Sequence, residues 1–215
     1  SFAQWQQIAK VVKEKQLVPF MDIAYQGFGD GLEEDASVVR MFAEQGLNML
    51  ISSSFSKSFS LYGERVGALT MVSASKEESG RVLSQLKRVI RTNYSNPPTH
   101  GGTVVSMVLN SPELFKVWVG ELAGMRERIR AMRTQLVEKL KSHGVKQNFD
   151  FVLSQRGMFS YSGLTSAQVD QLREEHGVYA VSSGRICVAA LNSRNIDYVA
   201  QAIAKVLGYI TATFS

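Results

Sequence analysis

The chain has 215 residues, 45% of them hydrophobic, enough to bury a sizeable core in one large domain or two small ones. Ordinary glycine and proline counts, 17 and 4, exclude collagen-like and disordered classes. The formal charge of +5 comes from 24 Lys and Arg interleaved with 19 Asp and Glu, without a block of like charge, so nucleic acid is not the default partner.

Ser1 can cap a helix in which Phe2, Trp5, Ile8, Ala9 and Val12 recur at helical spacing. Residues 17–21 predict a short buried strand with Pro19 near its start and Asp22 at its carboxyl end, where open α/β sheets place their ligands. Gly27, Gly29 and Gly31 predict a flexible loop, and their spacing is wrong for a dinucleotide fingerprint. A short helix over 35–45 and strands over 48–51 and 66–72 follow. Next comes a helix over 76–91 with Val82, Leu86, Val89 and Ile90 on one face. Pro97 and Pro98 break that pattern before a second helix, 99–109, expected to be buried.

Residues 112–143 predict one helix of roughly 45 Å at 1.5 Å per residue, with Gly144 in the C-cap position. A helix of that length is expected to bridge two domains. Its arginines (Arg126, Arg128, Arg130, Arg133) alternate with Glu121, Glu127 and Glu138. They read as a solvated, salt-bridged face rather than a nucleic-acid patch. Beyond it lie a strand over 158–161, a helix over 166–176 capped by Thr165, and a strand over 186–189. A last helix carries Ile196, Val199, Ala200, Ile203 and Val206. The fold class is α/β to about residue 115, then the bridging helix, then a smaller α+β region.

Metal and disulfide chemistry have little support. Cys187 is the single cysteine, which rules out an internal disulfide and accords with a reducing, cytoplasmic setting. His100, His143 and His176 lack ligand spacing. No apolar run approaches the ~18–20 residues that span a bilayer, and Ser1 opens straight into a charged amphipathic pattern unlike a signal peptide. Without an initiator methionine the chain is expected to start mid-protein.

The chemistry gathers in residues 51–67, ISSSFSKSFSLYGERVG. Hydroxyls at Ser52, Ser53, Ser54, Ser56, Ser58 and Ser60, with Arg65, are what a phosphate needs. Lys57 is the one lysine among these aromatics, and a lysine amine can condense with an aldehyde. A carboxylate such as Asp22 can keep a pyridine nitrogen protonated, turning the ring into an electron sink. Each residue also has a plain alternative: Lys57 solvated in a polar loop, Asp22 capping a turn, Arg65 paired with Glu64.

The stretch SFSKSFSLYGERVG, preceded by DIAYQGF and followed by RTNYSNPPTHG, GMFSYSGL and SSGRICVA, closely resembles the aspartate and aromatic amino-acid aminotransferases. These are class I, pyridoxal-phosphate-dependent enzymes of fold type I, and the likeness to the bacterial members covers essentially the whole chain. It implies the C-terminal part of the family's large cofactor domain over 1–120, a mixed sheet with helices. Over 121–215 it implies the bridging helix and a small α+β C-terminal domain.

Residue by residue, the resemblance makes Lys57 the Schiff-base lysine and proton shuttle. It makes Asp22 the partner of the pyridinium nitrogen and Tyr25 that of the cofactor's phenolic oxygen. Ser54, Ser56 and Arg65 would bind the phosphate. Arg185 would clamp the substrate's α-carboxylate, Arg91 would reach the distal carboxylate in a neighbouring subunit's site, and Phe159 would line the pocket.

The implied reaction is transamination between aspartate or an aromatic amino acid and 2-oxoglutarate, in a homodimer with shared sites and with neither nucleic acid nor membrane as partner. Family chains are about twice as long. The absent N-terminal half supplies further cofactor contacts, so the 215 residues alone are expected to be inactive. Two other readings are a decarboxylase or lyase of the same fold type and a non-catalytic basic interaction module. Arg91 and the SSGR motif weigh against the first, and nothing beyond charge supports the second.

Overall fold

The computed structural model describes residues 1–209. Ser1 begins it as expected: its hydroxyl accepts from the Gln4 amide (3.4 Å) while the Gln4 side chain accepts from the Ser1 amino group (2.6 Å), starting helix α1 (Phe2–Glu14). Ala9 and Val12 are buried with Met41, Phe42, Met49 and Ile51 in one cluster. Phe2, Trp5 and Ile8, from the same apolar stripe, remain 39–47% exposed.

Strands β1 (Phe20–Ile23), β2 (Met49–Ser54) and β3 (Gly67–Val72) form a mixed sheet in that order. β1 runs parallel to β2 with Asp22 opposite Ser52, and β2 runs antiparallel to β3 with Ser54 opposite Gly67. Two expectations need correction here. The strand placed over 17–21 starts after Pro19, and Leu17, Val18 and Phe20 are 55–67% exposed because β1 is an outer strand of the sheet. The strand expected to stop at Ile51 continues through Ser52, Ser53 and Ser54, since the ladder to β3 overrides serine's weak strand preference.

The glycine loop is not loose. The Asp35 carboxylate accepts from the amides of Gly27 (2.7 Å), Gly29 (2.9 Å) and Asp30 (2.9 Å). Asp35 thereby closes a one-turn helix α2 (Leu32–Asp35), and the helix expected over 35–45 becomes α3 (Ser37–Glu44). Helix α4 (Lys76–Tyr94) runs one turn further than expected. Helix α5 (Thr99–Asn110) is not the buried helix anticipated: it buries Gly101 and Val105, while Met107 and Leu109 are 61% and 43% exposed.

Helix α6 (Pro112–Ser142) is continuous, and Gly144, at φ +82°, follows its end. Contacts divide the chain into two units, Ser1–Leu122 and Ala123–Ser215. The second unit buries Ile129, Met132, Leu136, Val137 and Leu140 of α6. After α7 (Phe151–Ser154) come β4 (Phe159–Tyr161), α8 (Ser166–His176), β5 (Arg185–Cys187) and α9 (Ile196–Val206). β4 and β5 pair antiparallel, with Phe159 opposite Cys187 and Tyr161 opposite Arg185. β5 ends earlier than expected because residues 188–190 tighten into a 3-10 turn.

The arginine face of α6 also differs from a solvated stripe. Arg126 and Arg130 do pair with Glu127, each at 3.2 Å. Arg128 instead donates to the carbonyls of Leu191 (2.9 Å) and Ala189 (2.7 Å), and Arg133 is 3% exposed. The irregular backbone around β4 and β5 leaves carbonyls that a sheet ladder would have used, and these guanidinium groups satisfy them.

Thr165 caps α8 as read from the sequence, in a reciprocal pair with Gln168. Thr165→Ala in the full-length protein is expected to cost about 0.5–2 kcal/mol, read as a lowered urea midpoint at unchanged slope. An unchanged midpoint would count against the cap.

No described helix is long and apolar enough to cross a membrane. Among the described residues no three His, Cys, Asp or Glu side chains are grouped as metal ligands would be.

Candidate active site

Topology brings three sequence-distant segments to one end of the sheet. β1 and β2 are parallel, so their carboxyl ends point the same way, and β3, being antiparallel, starts at that end. The chain leaving β1 carries Tyr25, the chain leaving β2 carries Ser56 and Lys57, and the chain entering β3 carries Arg65. Concave ligand sites of open α/β sheets form in this position.

Lys57 sits on a tight turn directly after β2. The Phe59 amide bonds back to Phe55 O (3.2 Å), the Ser60 amide to Lys57 O (3.2 Å), and Ser60 takes a left-handed φ of +55°. Phe59 stacks on Trp118 with centroids 4.5 Å apart, and the Trp118 indole N–H donates to Ser58 O at 2.7 Å. That clamp fixes the turn from a helix sixty residues away in sequence. The Lys57 ammonium lies 4.7 Å from the centroid of the Tyr25 ring, so the two side chains meet.

Asp22 stands within β1, and its Oδ1 accepts from the Ser52 hydroxyl at 3.0 Å, across the parallel register. Its carboxylate is exposed. Ser54 Oγ accepts from the Ser56 amide at 3.2 Å, and Ser56 is 6% exposed. Arg65 adopts a left-handed backbone, φ +51°, and its guanidinium donates to Tyr62 O at 3.0 Å; it is exposed. The pairing with Glu64 considered from sequence is replaced by this carbonyl contact. Gly67 begins β3 where an added Cβ would lie 2.7 Å from Ser53 O, so the close approach of the two strands requires glycine.

The other candidates lie elsewhere. Arg91 is exposed in the last turn of α4 and donates to the Ser95 hydroxyl. Arg185 and Phe159 belong to the second unit, on β5 and β4. There the Arg185 guanidinium lies 4.9 Å from the centroid of the Phe159 ring. Sequence reasoning passed over Ser52 as an individual partner of Asp22, and it passed over Trp118 as the clamp on the lysine turn. A tryptophan early in a long helix was the available signal, because a buried indole N–H seeks an acceptor.

An amine, a phenol, a carboxylate, a guanidinium and clustered hydroxyls at one sheet end are groups that could hold a phosphorylated aldehyde. The chain belongs to the aminotransferases: a family model described as aminotransferase class I and II matches residues 1–203. The aspartate aminotransferase of Pseudomonas aeruginosa is 65% identical over 203 residues, 94% of this chain and 51% of that protein. The aromatic-amino-acid aminotransferase of Escherichia coli is 54% identical over 204 residues, 95% of this chain and 51% of the relative. A crystal structure of the aromatic-amino-acid aminotransferase from Burkholderia pseudomallei, covalently bound to pyridoxal phosphate, superposes with a TM-score of 0.95. It is 68% identical and covers 96% of this chain and 52% of its own. The chain thus spans about half the length of the curated relatives it matches.

Proposed function

We propose that these residues are the C-terminal half of a pyridoxal-phosphate-dependent aminotransferase that exchanges an amino group between aspartate or an aromatic amino acid and 2-oxoglutarate. The observation carrying this reading is the meeting of Lys57 with Tyr25 at the sheet end that also holds Asp22, Ser54, Ser56 and Arg65. When bound, pyridoxal phosphate would supply an electron sink for the electron pair left on the substrate's α-carbon when its proton departs to a base.

The chain's own groups do the rest. Lys57 would hold the cofactor covalently and, as a free amine, would move the proton at the α-carbon. Asp22, whose Oδ1 accepts from the Ser52 hydroxyl, would keep the ring nitrogen protonated. Tyr25 would bond the cofactor's phenolic oxygen, and Ser54, Ser56 and Arg65 would receive the phosphate. In the second unit Arg185 takes the α-carboxylate in a two-pronged pair, with Phe159 lining the pocket. Arg91 serves a distal carboxylate in the neighbouring subunit of a homodimer. Residues 1–120 are part of the large cofactor domain, and 121–215 are the bridging helix and small domain. The protein works in the cytoplasm.

Relatives of twice this length, an outer strand β1 and the exposed side chains of Phe2, Leu17, Val18 and Phe20 all support a need for more chain than these residues. The test is a purified chain of residues 1–215 beside the full-length protein, each titrated with pyridoxal phosphate and given aspartate, tyrosine and phenylalanine with 2-oxoglutarate. The full-length protein should show the absorbance of lysine-bound cofactor and turn over at least one pair; the shorter chain should bind poorly and turn over none. Ammonia or carbon dioxide as main product from the full-length protein would overturn the reading, and full activity in the shorter chain would overturn its dependence on the other half.

A further inference from the structure

Among the described residues Arg133 is the only charged side chain that is fully buried, at 3% exposed. Its partners are neutral. Nε donates to Ser160 Oγ (3.1 Å), and one terminal nitrogen donates to the carbonyls of Phe159 (3.1 Å) and Gly157. Burying a guanidinium without a carboxylate is costly, and desolvation, followed by repulsion from Arg156 and Arg130, holds its pKa below the ordinary arginine range. A buried aliphatic residue would avoid the buried charge but would lose the bonds to Ser160 Oγ and to the carbonyls of Gly157 and Phe159, so the guanidinium ties residues 157–160 together as well as filling space.

The register of the small sheet shows what the guanidinium reaches. Side chains alternate across a strand, so Phe159, Tyr161, Arg185 and Cys187 share one face while Ser160 and Ile186 share the other. Ser160 is 2% exposed, on the face where Arg133 bonds it. Phe159 and Arg185 are diagonal neighbours on the opposite face, with the guanidinium 4.9 Å from the ring centroid. Arg133 therefore backs the strand from behind at the residue whose ring supports Arg185. Farther along, Arg128 holds Ala189 and Leu191, just beyond β5, in the same way.

We propose that Arg133 is a positioning residue for Arg185: it fixes residues 157–160 from behind, and the Phe159 ring so held sets the orientation in which Arg185 receives a substrate α-carboxylate. This rests on the proposed role of Arg185. An α-carboxylate is common to every amino-acid and 2-oxo-acid substrate, so the effect should be indifferent to the side chain of the substrate. Lysine at position 133 would keep the charge but lose the fork that bonds Ser160 and the carbonyls together.

The experiment uses the full-length holoenzyme, with Arg133→Lys and, as a milder change, Ser160→Ala, each in the wild-type and the Arg185→Lys background. Arg133→Lys should raise KM for aspartate and for phenylalanine alike by about tenfold, the worth of one charge-assisted hydrogen bond, while kcat and the absorbance of the bound cofactor stay close to wild type. Ser160→Ala should shift KM in the same direction by less. In the Arg185→Lys background neither change should add a further KM increase. Equal increments in both backgrounds, or lowered unfolding stability with KM unmoved, would make Arg133 a packing residue and overturn the proposal. A wild-type holoenzyme indifferent to Arg185→Lys would instead remove the assigned role of Arg185, and the positioning of it would fall as well. Failure of the broader functional reading is told apart by the wild-type protein alone, which would then show no lysine-bound cofactor.

Discussion

Lys57→Ala in the full-length protein is expected to abolish the absorbance of covalently held cofactor and to lower kcat by roughly 10⁴- to 10⁶-fold, the scale on which loss of a catalytic nucleophile is felt. The reasons are local to the turn. The Lys57 ammonium meets the Tyr25 ring at 4.7 Å, and the turn presenting it is tied by two backbone bonds and by the Trp118 indole. Alanine leaves all of those ties in place, because none of them uses the lysine side chain. The variant should therefore unfold like wild type and still bind the cofactor non-covalently through the remaining groups. A lysine-bound absorbance band persisting in the variant, measured beside the wild-type spectrum, would exclude Lys57 as the anchor.

Gly184→Ala should do its damage by a different route. Gly184 holds φ at +83°, a conformation that L residues with a side chain rarely adopt. A Cβ there would meet Leu164 O at 2.7 Å, and backbone cannot swing aside as a flexible side chain can. The Gly184 carbonyl also accepts from the amide of Ser162 (2.9 Å) and from its hydroxyl (2.7 Å), so any shift loosens the start of β5. Arg185 is the next residue. The expected cost is about 1–3 kcal/mol of backbone strain, with a lowered melting temperature and a raised KM for amino-acid substrates together. If melting temperature and KM both match wild type, the strained approach is not real.

Local order was well marked in the sequence. Ser1 with Gln4, and Thr165 with Gln168, are three-residue relationships, and both caps formed where they were read. The end of α6 before Gly144, and the span of α8, follow from helical periodicity and a left-handed glycine, which need no distant partner. Membership of the aminotransferase family was also legible, because five short motifs in fixed order are a sequence property.

Long-range pairings were not legible in the same way. Whether Ser52, Ser53 and Ser54 are loop or strand depends on Gly67, Ala68 and Leu69 lying opposite them, and serine's own preference is too weak to say. Whether the glycine loop is slack depends on an Asp35 carboxylate reaching back to three amides. Arg133 reads as one more exposed helix arginine until the carbonyls of Gly157 and Phe159 are found against it. Tryptophan at 118 has no visible link to a lysine turn sixty residues earlier until its indole is seen donating to Ser58.

By itself the sequence determined the longer helices, the caps at Ser1 and Thr165, and which residue types stand in the chemistry-bearing stretch, since those depend on neighbours a few positions away. Only the tertiary structure decided that Tyr25, Lys57 and Arg65 share one end of a mixed sheet, and that Arg185 rests on Phe159. The physical reason is that strand direction, register and the satisfaction of buried carbonyls are set by hydrogen bonds between distant segments, and no single segment carries that information.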